Sequence, residues 1–324
     1  MLNKVAGKIL IKETELNLKM MLAGGQSFRW TELVPNSWSG VICNLLWILK
    51  QSPDSLEYEA IGLDGSDDVE RTIRKYLRLD EDIKSLYAHW SKRDSHFEKV
   101  SSKFPGIRLL CQDPVENLFS FICSSNNNIT RISSMVEKLC SLYGNEICIY
   151  EGKTYYGFPQ VKSLTQPGVE AELRKAGFGY RAKYIYESAK QLDALGGERF
   201  LEDLKAKSYT ESKLELLKFT GIGPKVADCI CLMSLGHLGT IPVDTHVFQI
   251  AREHYMPSLK LTKNVNDKIY KMVGDLFKEI YGESAGWAHL VLFCSDLREN
   301  RVKEGTKRKK EMPQNKNKNR KKAK

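Results

Sequence analysis

Lys225 and Asp244 are the residues whose types and setting could do chemistry together. Lys225 directly follows the turn Gly221-Ile222-Gly223-Pro224, and Asp244 stands in Pro242-Val243-Asp244-Thr245-His246. Glycines one residue apart permit a tight hairpin with positive φ and let another molecule approach the free amides of the next helix, which suits a phosphate. Gly221 and Gly223 are therefore candidate phosphate contacts. Pro224 fits a first helical turn, because it lacks only an N–H that would have no intrahelical partner. Lys225 then lies at the positive end of a helix, where the field disfavours the ammonium form and lowers a pKa whose reference is about 10.4. A free amine there suggests imine chemistry on a phosphate-bearing substrate. Asp244 precedes an apolar-periodic stretch, 245–254, and reads as its N-cap. A carboxylate held in that way can stabilise a developing cation or move protons for a neighbouring amine.

The elements that position these residues follow from pattern. Short β-prone runs at 27–31, 38–43, 45–50 and 56–59, separated by turn residues, predict an antiparallel sheet. Helices are expected over 67–76 and 79–91, completing an α+β module. Beyond it the chain reads as helical. Asp113-Pro114-Val115-Glu116 supplies an N-cap, an N1 proline and a capping-box carboxylate. Asn128 precedes another helix, and the polar loop 124–128 lies between the two. Further helices fit 169–175, 181–191, 200–204, 209–217, 226–234, 264–281 and 285–295. The expected organisation is α+β: an N-terminal antiparallel β-sheet domain over 1–104, a helical domain over 105–300, and a basic disordered tail over 301–324.

Charge is uneven along the 324 residues. The net charge is +10, but from Lys303 onward eleven Lys or Arg stand against Glu304 and Glu311, leaving about +1 for the body. The tail clusters Lys307-Arg308-Lys309-Lys310 and Arg320-Lys321-Lys322 read as a nuclear localisation signal or a DNA tether. The eight cysteines are scattered without a framework and are expected to be reduced thiols. No run of about 18 apolar residues offers a membrane span, and the N-terminal stretch has no apolar core of a secretion signal. A mitochondrial address stays open.

Taken together, several motifs carry a family resemblance. The run Gly221 to Cys229 with Ile241 to His246 looks like the Gly/Pro-rich loop and aspartate of helix-hairpin-helix DNA glycosylases. Gly25-Gln26-Ser27-Phe28-Arg29-Trp30, the run from Phe119 through Asn126-Asn127-Asn128 to Ile129, Gly179-Tyr180-Arg181-Ala182 and Ala285-Gly286-Trp287-Ala288 resemble the eukaryotic 8-oxoguanine DNA glycosylases. The likeness implies a bifunctional enzyme of base excision repair, a DNA glycosylase with abasic-site lyase activity. It would excise 8-oxoguanine opposite cytosine from double-stranded DNA through a lysine Schiff base. A monomer with neither cofactor nor metal is implied. Only Cys294 follows Asp244, so the four-cysteine iron–sulfur cluster of some relatives cannot be ligated.

The resemblance also implies residue roles. Lys225 and Asp244 are catalytic. Asn126 enters the gap left by the extruded base, Arg131 and Arg181 read the orphaned cytosine, and Tyr180 is the wedge beside them. The carbonyl of Gly25 accepts the N7–H that distinguishes the oxidised ring from guanine. Cys229 and Phe293 sandwich the base, and His246 contacts a phosphate. His289 departs from the pattern, standing where the family usually has Gln at the Watson–Crick edge of the lesion. A neutral imidazole offers one acceptor and a protonated one none, so lesion binding is expected to weaken below about pH 6.5. Rival readings are another glycosylase specificity on the same scaffold and a noncatalytic DNA-binding repair accessory that retains the hairpin.

Overall fold

The N-terminal strands are β1 (Asn3–Leu10), β2 (Thr31–Val34), β3 (Ser37–Ile42), β4 (Leu45–Ser52) and β5 (Ser55–Gly62). They form one antiparallel sheet in the order β1-β5-β4-β3-β2. The computed structural model describes residues 3–62, 68–259 and 265–311, with side chains up to residue 298. Cys43 and Asn44, both at positive φ (50° and 56°), make the two-residue turn between β3 and β4, a conformation that matches strand twist. Central β4 buries Leu45, Leu46, Trp47 and Leu49.

The sheet differs from expectation at both ends of its order. The segment 27–31 is not a strand until Thr31. Its residues instead turn inward: Gln26 is fully buried, donating to the Arg108 carbonyl at 3.0 Å and accepting from the Leu110 amide at 2.9 Å. Trp30 donates to the Tyr76 hydroxyl at 2.9 Å and lies where a side chain on Gly40 would be. Tertiary hydrogen bonds here override local strand propensity. β1 was not expected, because as an edge strand it is exposed at most positions and lacks the apolar alternation of a half-buried strand.

The helices are α1 (Leu18–Leu22), α2 (Val69–Tyr76), α3 (Ile83–Arg93), α4 (Ser95–Lys103), α5 (Pro114–Ser124), α6 (Ile129–Tyr143), α7 (Val161–Leu164) and α8 (Val169–Lys175). They continue with α9 (Arg181–Ala194), α10 (Glu198–Asp203), α11 (Tyr209–Leu216), α12 (Pro224–Met233), α13 (Thr245–Ile250), α14 (Asp267–Tyr281) and α15 (Ala285–Glu311). Local chemistry accounts for several starts. Asp113 caps α5 through the Glu116 amide at 2.9 Å with Pro114 at its first turn, and Asn128 caps α6 through the Arg131 amide at 3.0 Å. The helical stretch expected over 245–254 is present, as α13 continuing into a π-helix over Ala251–Tyr255. A hairpin of β6 (Glu146–Tyr150) and β7 (Lys153–Tyr156), also unexpected, packs Ile147, Cys148 and Tyr155 onto Val41, Leu46 and Ile61 of the large sheet.

One hydrophobic core runs through the sheet module and the helical region, joining Trp47 and Leu49 to Leu118, Ile230 and Trp287. Trp287, fully buried on α15, donates to the Ile107 carbonyl at 3.0 Å and so fastens that helix to the segment joining the two regions. α15 continues to Glu311, which corrects the expectation that structure ends at 300. The added turns are rich in Arg, Lys and Glu, strong helix formers, and extending an existing helix needs no new nucleus. The rest of the expected disordered tail, 312–324, lies outside the described residues.

Replacing Trp287 with Ala leaves a large cavity and removes one of two hydrogen bonds that the Ile107 carbonyl accepts, the other coming from the Tyr87 hydroxyl at 3.2 Å. The expected destabilisation is about 3–5 kcal/mol in urea unfolding; a loss below about 1 kcal/mol would show that α15 is not fastened through this ring.

Candidate active site

The hairpin before α12 is built by its glycines in different ways. Gly221 sits at φ +84°, and a Cβ there would lie 2.5 Å from the Tyr184 ring. Gly223, expected to share that positive φ, is extended (φ −96°, ψ −179°) and caps α12 without a side chain. A Cβ on Gly223 would meet nothing within 4 Å, so its lack of a side chain keeps the helix amides approachable from outside. Pro224 occupies the first turn, as expected, and Lys225 follows it. The Lys225 ammonium position lies 4.8 Å from the centre of the Phe121 ring on α5. Phe121 is a pocket residue that the sequence did not reveal, since its helix is apolar nearly all round and nothing marks one phenylalanine from another.

Asp244 caps α13 as expected: its Oδ1 accepts from the amides of His246 and Val247, both at 2.9 Å. Lys225 and Asp244 line one small cavity together with Gly25, Phe121, Cys229, His289 and Phe293. Residues from five separate parts of the chain thus converge. Gly25 holds φ +80°, and a Cβ there would come to 3.4 Å of Ile129 and 3.9 Å of Phe293, narrowing the pocket. The cavity measures about 30 Å³. Ligand pockets usually span about 300–1,000 Å³, so a purine enters only when lining side chains move. Phe293 is half-buried and edge-on to His246 at 5.9 Å between ring centres.

Burial pushes the Cys229 thiol up to about 11, and the neighbouring Lys225, hydrogen-bonded to it, pulls the other way. Cys229 therefore stays a neutral thiol at neutral pH. His289 is 5% exposed, and desolvation drives its pKa down to about 4 from 6.5. Its Nδ1 lies 3.1 Å from the Gly286 carbonyl, which can only accept, so Nδ1 carries the proton. Nε2 is left as a buried lone pair without a partner on the pocket wall. The expectation that this residue protonates near pH 6.5 is thus corrected: burial moves the change to about pH 4.

A wider cleft of about 940 Å³ adjoins the cavity, lined by Asn126, Gly223, Lys225, Asp244, His246 and Arg252 among others. The three asparagines of its rim divide their tasks. Asn127 donates to the Cys123 carbonyl at 3.0 Å, Asn128 caps α6, and Asn126 stands exposed at the tip with φ +46°. Tyr180 donates to the Ser125 carbonyl at 3.0 Å, and buried Arg181 donates to the carbonyls of Ser125 and Asn126. Arg181 also stacks on Tyr180, 4.6 Å from its ring centre. In this state Arg181 buttresses the asparagine loop, while Arg131 is exposed beside it. His246 is partly exposed, its Nδ1 3.5 Å from a carboxylate oxygen of Asp296.

An amine and a fixed carboxylate at two helix starts, a cavity for one planar group, and a cleft edged by amides and an αL asparagine define a site for chemistry on a base withdrawn from a nucleic-acid strand. Comparison with known proteins agrees. Residues 8–118 match the N-terminal domain of 8-oxoguanine DNA glycosylase, and residues 119–274 match the HhH-GPD superfamily of base excision DNA repair proteins. The chain is 38% identical to the N-glycosylase/DNA lyase of Saccharomyces cerevisiae, covering 90% of this chain and 86% of that one. It is also 38% identical to the Arabidopsis thaliana N-glycosylase/DNA lyase OGG1, over 89% of this chain and 79% of the other. Among solved structures, Clostridium acetobutylicum 8-oxoguanine glycosylase/lyase, bound to double-stranded DNA with cytosine opposite 8-oxoG, superposes with a TM-score of 0.80 at 28% identity, covering 93% of this chain and 98% of that one. The chain belongs to the 8-oxoguanine DNA glycosylase family of the helix-hairpin-helix superfamily.

The His289 shift has a stability consequence with a definite sign. Between about pH 6.5 and 4 the unfolded chain binds a proton that the native imidazole refuses, so native stability falls as pH drops through that window. The effect approaches about 3 kcal/mol at the acid end. His289→Gln removes it, so the stability difference between variant and wild type should shift by that amount in the variant's favour from pH 7 to about pH 4, read by urea midpoints. A difference that stays constant with pH would refute a neutral buried His289.

Proposed function

We infer that this protein excises 8-oxoguanine opposite cytosine from duplex DNA and then cleaves the abasic strand, in base excision repair. The observation that carries the reading is the convergence of Lys225, Asp244, Cys229, Phe293 and Gly25 on one cavity beside a helix-hairpin-helix turn. The neutral Lys225 amine attacks deoxyribose C1′ as the C1′–N9 bond breaks, and the bonding pair leaves with the base, which takes up a proton. Asp244, held by two amides, stabilises the cationic sugar. Opening of the sugar ring at C1′–O4′ gives the imine. Loss of a C2′ proton then expels the 3′ phosphate by β-elimination, and hydrolysis of the imine frees the lysine.

Around this reaction the other residues take binding roles. Gly25 offers its carbonyl to the N7–H of the lesion, and Cys229 and Phe293 flank its faces. The Nε2 lone pair of His289 accepts from an N–H of the Watson–Crick edge, replacing the amide oxygen of the usual glutamine. Asn126 fills the gap in the helix, while Tyr180, Arg131 and Arg181 serve the orphaned cytosine and Gly221, Gly223 and His246 the backbone phosphates. The reading also extends to location: the basic clusters at the C-terminal end direct the protein to the nucleus.

Borohydride trapping tests the central step. Wild type should become covalently attached to an 8-oxoguanine:cytosine duplex, Lys225→Gln should give no adduct, and Asp244→Asn should slow base release by about 100-fold or more. Base release at the wild-type rate by Lys225→Gln would refute the amine as nucleophile. Nuclear accumulation of a fluorescent fusion should fall when residues 303–324 are removed; unchanged accumulation would refute the address.

A further inference from the structure

The mechanism makes no use of one buried acid on the catalytic helix. Asp228 lies three residues beyond Lys225 on α12 and is 1% exposed. Its Oδ1 accepts from the Tyr209 hydroxyl at 2.9 Å, and its Oδ2 accepts from Lys213 at 2.9 Å and from the Tyr270 hydroxyl at 2.5 Å. These partners satisfy a buried charge, and three of them exceed what neutralisation by Lys213 alone would need.

The Tyr270 hydroxyl has a second bond. It accepts from the Val243 amide at 3.3 Å, and Val243 is the residue immediately before Asp244. Burial and the adjacent Asp228 both push the Tyr270 pKa up, so the hydroxyl keeps its proton and the bridge has a fixed polarity, O–H toward the carboxylate and lone pair toward the amide. Tyr270 itself is anchored in the first turn of α14, where Asn266 caps the helix. The amide bonds that Asp244 accepts come from His246 and Val247, which orient it relative to α13 but not relative to α12.

We propose that Tyr270 is a positioning residue: its hydroxyl ties the segment leading into Asp244 to Asp228 on the Lys225 helix, and so sets the placement of carboxylate against amine. This rests on the catalytic pairing of Lys225 with Asp244 argued above. The role is in the chemical step, since Tyr270 lines a groove with Tyr209, Lys213 and Lys278 and does not line the cavity that holds Lys225.

Tyr209 supplies a matched control, because its hydroxyl bonds the same carboxylate and does not reach Val243. Single-turnover excision from an 8-oxoguanine:cytosine duplex should slow about tenfold in Tyr270→Phe, with duplex Kd changed by less than about twofold, whereas Tyr209→Phe should stay within about twofold of wild type in both. Hydrogen exchange at the Val243 amide should speed up in Tyr270→Phe and not in Tyr209→Phe. Equal slowing in the two variants, a full rate in Tyr270→Phe, or unchanged exchange at Val243 would overturn the proposal. Should wild type release no 8-oxoguanine at all, the functional reading fails, and the exchange comparison still decides whether the bridge exists.

Discussion

Everything at the site depends on two helix starts being held against one cavity. The first, that of α12, is set by a glycine at φ +84° wedged over the Tyr184 ring, which leaves Lys225 at the first turn. The second is set by Asp244, whose carboxylate is fixed by the His246 and Val247 amides. A helix start does double duty here. Its unpaired amides bind anions and hold a carboxylate in one orientation. Neither task needs a metal ligand or a charged cluster, which fits a chain whose body carries a net charge of only about +1.

The pocket combines desolvation with polarity that is used sparingly. Cys229 and His289 are both kept neutral by burial, one proton-bearing and the other presenting a lone pair. An unpartnered buried acceptor costs stability in the free protein. In the proposed reading, a base that brings an N–H to that place relieves this cost and is favoured over one without the donor. The small volume of the cavity works in the same direction, since at about 30 Å³ it admits a base only when lining side chains move. The asparagine loop follows related logic at the rim: Arg181 and Tyr180 spend their donors on its carbonyls, which preorganises the αL tip that carries Asn126.

Much of this was legible from residues alone. The place of Lys225 just inside α12, Asp244 and the caps at Asp113 and Asn128 follow from short-range rules that act within a few residues, and the structure has those positions as read, whereas Glu116, read as a capping-box carboxylate, instead pairs with Arg29 at 3.2 Å. The elements that escaped are of another kind. β1 is an edge strand whose partner β5 lies some fifty residues away, and the hairpin of β6 and β7 is defined by packing onto the large sheet. The run at 27–31 has strand composition, yet Gln26 pairs with Leu110 and Trp30 with Tyr76 on α2, and these contacts draw it inward. α15 outlasts its apolar stretch because most residues that follow are good helix formers and an existing helix extends without a new nucleus, even through Gly305.

The sequence by itself determined the chemistry available: an amine and a carboxylate at two helix starts, and the local turns and caps that present them. Those are properties of adjacent residues and of atoms that each side chain carries wherever it lies. The tertiary structure decided how those groups behave. Only the packed interior, by removing water from His289, moves its protonation from near 6.5 to about 4 and chooses its tautomer through Gly286. Only the approach of α14 to α12 gives the Tyr270 hydroxyl both Asp228 and Val243 as partners. Desolvation and long-range contact depend on what surrounds a group in space, and a linear pattern does not contain that.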